Sequence, residues 1–152
     1  IGIDNDKNAV EATKNNLKWL CNQYKLKNNY KVLYGDSRNL SKLINKADVI
    51  VTEPYLGPFL KRIPNDEEAK NIVNSLNSLY KRFFEEASKI VKKKLVIIMP
   101  RFRTNKDDII RINVDKMIKC FKVETISNIK FPILYKTKKG ILEREIYIMS
   151  PT

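Results

Sequence analysis

Asp48-Val49-Ile50-Val51-Thr52-Glu53-Pro54-Tyr55-Leu56-Gly57-Pro58 is the stretch whose reading decides the fold. An apolar, β-branched run stops abruptly at an acid, a proline, an aromatic ring and a glycine. A buried parallel strand that delivers a loop to a binding crevice has this pattern, because ligands of open α/β sheets bind outside the carboxyl ends of strands. The strand end offers a hydrogen-bond acceptor, a rigid backbone carbonyl and a ring that can stack on a base.

Outward from this strand, helices and strands alternate, with no internal repeat and no low-complexity linker. Ile1–Asp4 reads as a strand end, and Asn5 or Asp6 can cap the helix expected over Lys7–Tyr24. Tyr30–Tyr34 is a short strand ended by Gly35-Asp36, and a short helix through Leu40–Ile44 leads to the central strand. Pro54, Pro58 and Pro64 stiffen the loop that follows it. The strongest helical period, Ala69, Ile72, Val73, Leu76, Leu79, Tyr80, Phe83, Phe84, Ala87 and Ile90, predicts a helix over Asp66–Val91. Lys92-Lys93-Lys94 is expected to end it, where cations suit the helix dipole. Leu95–Met99 reads as a buried strand and Asp107–Lys119 as a helix of weaker pattern. Phe121–Ile129 and Ile141–Met149 read as two closing strands joined by Tyr135–Gly140. On the last, Leu142, Arg144, Ile146 and Ile148 share one face and Glu143, Glu145 and Tyr147 the other. The order predicts a doubly wound α/β sheet.

Composition narrows the function. The 152 residues fit one domain, and 30 Lys+Arg against 17 Asp+Glu give a formal net charge of +13. Such an excess suits a polyanionic partner, RNA or DNA first. With no histidine in the chain, histidine acid/base chemistry and histidine metal sites are excluded. Cys21 and Cys120 fit no zinc spacing, so no metal site is expected, and both read as core thiols of a reducing, cytoplasmic compartment. No apolar stretch is long enough for a membrane span. The chain opens on Ile1-Gly2-Ile3-Asp4, in mid-strand and without a methionine, and is expected to be part of a larger protein.

Three acids fall at strand ends. Asp4 can accept ribose hydroxyls or cap the helix that follows; Asp36 can receive an adenine amino group or make a turn; Glu53 ends the third strand. In a parallel sheet these ends share one rim. The stretches GIDNDKNAVEATKNNL (Gly2–Leu17), YGDSRNL (Tyr34–Leu40) and ADVIVTEPYLGP (Ala47–Pro58) resemble the S-adenosylmethionine-dependent class I methyltransferases. Among these the chain is most similar to the amino-methyltransferases with an Asp/Asn-Pro-Pro-aromatic motif. ILEREIYIM (Ile141–Met149) resembles the last strand of the THUMP-associated tRNA guanine-N2 methyltransferases. Glu53 stands where that motif has Asp or Asn, Tyr55 where it has the second proline, and Leu56 where it has the aromatic; Gly57 matches. The glycine-rich loop after the first strand has no counterpart and would lie before Ile1.

The resemblance implies a Rossmann-like class I methyltransferase sheet, mostly parallel with an antiparallel C-terminal strand and truncated before its second strand. Residues 1–152 would be the C-terminal part of a catalytic domain, with any RNA-binding domain upstream. It implies S-adenosyl-L-methionine as cofactor, held by Asp4 and Asp36 with Ser37 nearby. Glu53 and the Pro54 carbonyl would hold the substrate amine, with Tyr55 or Phe59 stacking on the base, although Phe59 fits a buried loop anchor better. Guanine N2 in tRNA is the expected target. Adenine N6 of DNA or RNA is the rival within the class, and a non-catalytic RNA-binding partner subunit or a small-molecule methyltransferase are rivals outside it. Gly57, Lys61 and Arg62, then Arg101, Arg103 and Lys106, then Lys136, Lys138 and Lys139, are expected on loops that crowd the rim of Glu53 and face RNA. Lys14, Lys18 and Lys25, on helices, are expected only to be solvated.

Overall fold

The computed structural model describes residues 1–126, 128–129, 131–137 and 141–152. Strand β1 (Gly2–Asp4) leads into helix α1 (Lys7–Tyr24), and β2 (Val32–Tyr34) pairs back in parallel with β1. A single 3-10 turn (Ser37–Asn39) and the short α2 (Leu40–Leu43) precede β3 (Ala47–Thr52). Helix α3 (Asp66–Ile90) connects β3 to β4 (Val91–Arg103), which lies parallel to it with Thr52 level with Ile97. The remaining strands are β5 (Ile109–Arg111), β6 (Phe121–Val123), β7 (Ile133–Tyr135) and β8 (Leu142–Pro151). All their pairings, β4 with β5 and β8, and β8 with β6 and β7, are antiparallel. Antiparallel β8 agrees with the expected closing strand.

Helix α3 organises the core. Asn65 Oδ1 accepts from the Glu68 N–H at 2.9 Å, and Glu68 Oε2 accepts from the Asn65 N–H at 2.9 Å, a reciprocal cap. Asp66, Glu67 and Glu68 in the first turn complement the positive end of the helix. The stripe Ala69, Val73, Leu76, Tyr80, Phe83, Phe84, Ala87 and Ile90 is buried, and it shares one cluster with Leu95, Ile97, Met99, Tyr147 and Met149 of the sheet. Burial of each large side chain contributes about 1.5–3 kcal/mol, which is why this helix dominates. Phe84 sets its ring edge-on to Phe83 at 5.8 Å and meets Phe121 of β6 at 6.0 Å, tying helix to sheet.

The sheet is divided. One piece is β1-β2; the other runs β3-β4-β8-β6. Among the described residues β3 is hydrogen-bonded on one side only, and its Val51 is 75% exposed. Helix α1 buries only Val10 and Cys21 and leaves Leu20 and Tyr24 exposed. Asp6, not Asn5, caps it, through the Asn8 N–H at 2.8 Å.

Several expectations are corrected. No helix spans Asp107–Lys119: Thr104–Asp108 turns back, Asp107 adopting φ 66°, and β5 pairs Arg111 with Arg101. The period-two burial of Ile110, Ile112 and Val114 outweighs the weak helical pattern. Helix α3 stops at Ile90, so Lys92-Lys93-Lys94 lie in β4 rather than at a helix end; Lys93 pairs with Asp48 and Lys94 with Glu124. The expected Phe121–Ile129 strand ends at Val123, and the segment before β8 carries β7 instead of a plain connection. Cys120 is exposed, because the turn before β6 sends Phe121 inward in its place.

Candidate active site

The carboxyl ends of β1 and β3 and the turn after β2 border one groove of about 1070 Å³. Asp4, Asn5, Asp36, Ser37, Glu53, Pro54 and Tyr55 all line it, so the acids expected on one rim do converge. The Gly35 N–H donates to the Asp4 carbonyl at 2.9 Å, joining the two strand ends. A Cβ at Gly35 would come within 2.4 Å of Leu43 Cδ1, so a larger residue there must displace the Leu43 side chain.

Asp4 Oδ1 accepts from the Asp6 N–H at 2.8 Å, so it helps the chain enter α1 and also faces the groove. Asp36 caps the 3-10 turn through the Arg38 N–H and takes the Arg38 guanidinium on both oxygens, at 2.5–3.0 Å. The Arg38 hydrogen bonds, chief among the causes, hold the Asp36 carboxyl below the usual carboxylate range. Arg38 is largely exposed, and exposed pairs contribute little, so a ligand can take Asp36 over. The Asp4 and Asp36 carboxylates can accept hydrogen bonds from the ribose hydroxyls and the adenine amino group of a nucleoside cofactor, and Ser37 lies beside them on the groove.

Glu53 sits one residue past the end of β3. Its Oε1 accepts from Arg144 Nε at 2.9 Å. Tyr80, fully buried on α3, donates its hydroxyl to the Tyr55 carbonyl at 3.3 Å. Burial first, and the Glu53 charge second, push the Tyr80 hydroxyl well above its ordinary range, so it stays a donor. Tyr55 is exposed, with its ring available for stacking. Phe59 is 91% exposed, which corrects the reading of a buried anchor. Gly57 adopts φ 108° with Ile72, Phe102 and Leu76 close behind its Cα, so its part is to let the loop turn against α3.

The basic residues divide into two groups. Glu143 and Glu145 are buried, 4% and 1% exposed, on the face of β8 that meets the core. The alternation along this strand is as expected, but the acidic face is the inner one. Arg101 lies 2.7 Å from Glu143, Arg103 reaches Glu143 and Asp107 at 3.3 Å, and Arg111 reaches Glu145 at 2.9 Å. Tyr147 donates its hydroxyl to Glu145 at 2.9 Å. Breaking a buried ion pair costs about 3–5 kcal/mol, so Arg101 in particular is held by the fold and is not spare for RNA. Arg62 pairs with Glu68 at 2.5 Å and Lys106 lies 3.8 Å from Asp66, but both cations are exposed and such pairs hold them only weakly. Lys61 and Lys136 are exposed and form no ion pair among the described residues. Lys138 and Lys139 lie outside the described residues.

Tyr80 and Arg144 are the site residues that sequence reasoning missed. Arg144 carried a signal: it is a lone charge on the face of β8 shared with Leu142, Ile146 and Ile148. Tyr80 carried none beyond its place on the buried stripe. Among the described residues no group of three or more Cys, Asp or Glu could hold a metal ion, and no helix is long and apolar enough to cross a membrane.

The family model described as "RMKL-like, methyltransferase domain" matches residues 1–128. Among solved structures, TrmN from Thermus thermophilus overlays with a TM-score of 0.55 at 12% identity, over 99% of this chain and 35% of its own. The PH0226 protein from Pyrococcus horikoshii OT3 overlays with a TM-score of 0.56 at 11% identity, over 99% of this chain and 70% of its own. At these identities the likeness is one of fold, and the chain spans about a third of the length of the TrmN structure. No curated protein matches the sequence.

Proposed function

We propose that this chain, which belongs to the RMKL-like methyltransferase domain family, methylates an exocyclic base amine in RNA, guanine N2 of tRNA in first place. The methyl donor is S-adenosyl-L-methionine. The observation that carries the reading is the convergence of Glu53, Pro54, Asp4 and Asp36 on one groove. The net charge of +13 and the exposed Lys61 and Lys136 favour a nucleic acid over a small substrate.

The residues have little covalent chemistry to perform. The lone pair of an exocyclic amine is delocalised into the base ring. Glu53 and the Pro54 carbonyl accept its two hydrogens and so localise that pair on nitrogen. S-adenosyl-L-methionine, when bound, would supply an electrophilic sulfonium methyl to that nitrogen. The surplus proton leaves through Glu53, directly or by water. Placement alone can contribute several kcal/mol, with an upper range of roughly 7–11. Asp4 and Asp36 would hold the ribose and adenine, and the Tyr55 ring would stack on an extruded base.

The proposal includes the domain organisation. Residues 1–152 form the catalytic domain, with a first strand, its glycine-rich loop and any RNA-binding domain upstream. Among the described residues β1 pairs only with β2 and β3 only with β4, and residues of both β1 and β3 line the same groove, which supports it. A reducing, cytoplasmic location accords with the free thiols of Cys21 and Cys120.

The test is to incubate the natural full-length protein with labelled S-adenosyl-L-methionine and unmodified tRNA, then identify the labelled nucleoside by mass spectrometry. N2-methylguanosine is the expected product. N6-methyladenosine would keep the mechanism and change the base, and absence of label would refute the reading.

A further inference from the structure

We propose that Arg144 is the positioning residue for Glu53, fixing Oε1 so that Oε2 alone is presented to the substrate amine. The inference rests on Glu53 being the amine acceptor, and it goes beyond that reading by assigning a part to a residue 91 positions away in sequence.

Three observations carry it. The first is direct: Arg144 Nε donates to Glu53 Oε1 at 2.9 Å, with the two side chains 32% and 46% exposed. The second is the distribution of arginines. Arg101, Arg103 and Arg111 neutralise Glu143 and Glu145 on the buried face of β8, whereas Arg144 points away from that network, from a face otherwise made of Leu142, Ile146 and Ile148. Glu53 is its hydrogen-bond partner among the described residues.

The third observation is register. Thr52 is level with Ile97 on β4, and Arg144 is level with Pro100, three residues farther along the same strand. Arg144 therefore stands beyond the end of β3 by roughly three rises of 3.3 Å, the region into which a side chain at position 53 reaches. An aspartate there would be shorter by about one C–C bond of 1.5 Å, enough to carry its oxygen out of hydrogen-bond range of Nε. Glutamate and Arg144 are thus matched in length. The match gives a physical reason for glutamate where the resembling motif has aspartate or asparagine.

Glutamate has one more rotor than aspartate, and an unanchored carboxylate would sample several positions at the mouth of the groove. The guanidinium removes that freedom on one side. Tyr80 holds the Tyr55 carbonyl on the other, so the acceptor and the adjoining backbone are each fixed by a different element. Arg144 need not touch substrate to act in this way.

The test uses the natural full-length protein, labelled S-adenosyl-L-methionine and unmodified tRNA, with kcat and the KM for tRNA measured for wild type, Arg144→Met, Arg144→Lys, Glu53→Asp and the double variant Glu53→Asp/Arg144→Met. Arg144→Met is expected to lower kcat on the order of 10- to 100-fold, the scale of a misplacement near 1 Å, with KM changed less than about twofold. Arg144→Lys should recover part of the rate, and ethylguanidinium added to Arg144→Ala should recover more, which a purely structural defect would not allow. In the Glu53→Asp background the contact is already lost, so Arg144→Met should add less than about a twofold effect. Unchanged kcat in Arg144→Met, fully multiplicative losses in the double variant, or no rescue by the cation would overturn the role of Arg144. A rise in kcat would also overturn it, by making the pair a plug on the acceptor. Wild-type protein that labels no RNA would instead overturn the reading of Glu53 on which the role depends.

Discussion

Gly57→Ala should loosen the loop that carries the candidate acceptor, and the structure allows the size of the effect to be worked out. Gly57 has φ 108°, a conformation that residues with a Cβ rarely adopt. Forcing alanine into such a region costs about 1–3 kcal/mol. The new methyl group would also lie 3.0 Å from Ile72 Cγ2, with Phe102 and Leu76 at 3.5 and 3.7 Å behind it. Ile72 must retreat by a few tenths of an ångström against the packed α3, and small overpacking of this kind adds about 1 kcal/mol. The total is about 2–4 kcal/mol, or a fall in Tm on the order of 4–16 °C for a domain of this size. Two outcomes are open to the chain. If the loop stays docked, the whole cost appears in urea-induced unfolding as a lower midpoint with an unchanged slope. If the loop detaches from α3, global stability falls less and backbone hydrogen exchange rises over 54–64, with loss of methyl transfer. Wild-type Tm, wild-type exchange in the loop and full activity in the variant would show that the loop does not depend on glycine at position 57.

Other predictions concern charge. Hydrogen bonds from Lys89, then from the Ser41 side chain and backbone, hold the Glu86 carboxyl at about 2, against an ordinary value of 4.5. Because the folded value is the lower one, its stabilising contribution is complete above pH 4.5 and is lost as pH falls towards 2. Glu86→Gln should therefore be less stable than wild type at pH 7, and the gap in Tm should close over that acidic window; a gap that does not change with pH would refute this. Replacing Lys61 and Lys136 with glutamine should weaken tRNA binding and reduce the slope of log affinity against log salt by roughly 1–2, as each contributes about one phosphate contact. An unchanged slope would remove both from the RNA-facing surface.

The parts of the fold legible in the sequence are those whose signal is local. The α3 stripe repeats for seven turns and is bracketed by Asn65 and a strand, so its bounds are read to within a residue. The run before Glu53 is apolar and β-branched, and it ends on proline. Glu53, Asp4 and Asp36 were legible as strand-end acids, and the structure brings them to one groove. What sequence could not reveal depends on partners far along the chain. Alternation in β8 sorts its residues into two faces, but only the arginines of β4 and β5 make the acidic face the buried one. The same pairing takes Arg101 and Arg103 away from a surface to which loop position alone assigned them. For β5 the cue was present, in Ile110, Ile112 and Val114, but it was outweighed by a helical expectation between two strands. The Glu53–Arg144 contact has no local signature, since β4 lies between the two strands that supply it.

Whether Glu53 acts on the amine or on RNA binding is decided by single-turnover methyl transfer with Glu53→Ala in the natural full-length protein, with tRNA and cofactor affinities measured on the same sample. If Glu53 holds the amine, the rate falls by at least about a hundredfold while tRNA affinity stays within about twofold of wild type. A variant that transfers the methyl group at the wild-type rate, or one whose loss of rate follows a matching loss of tRNA affinity, would contradict that role.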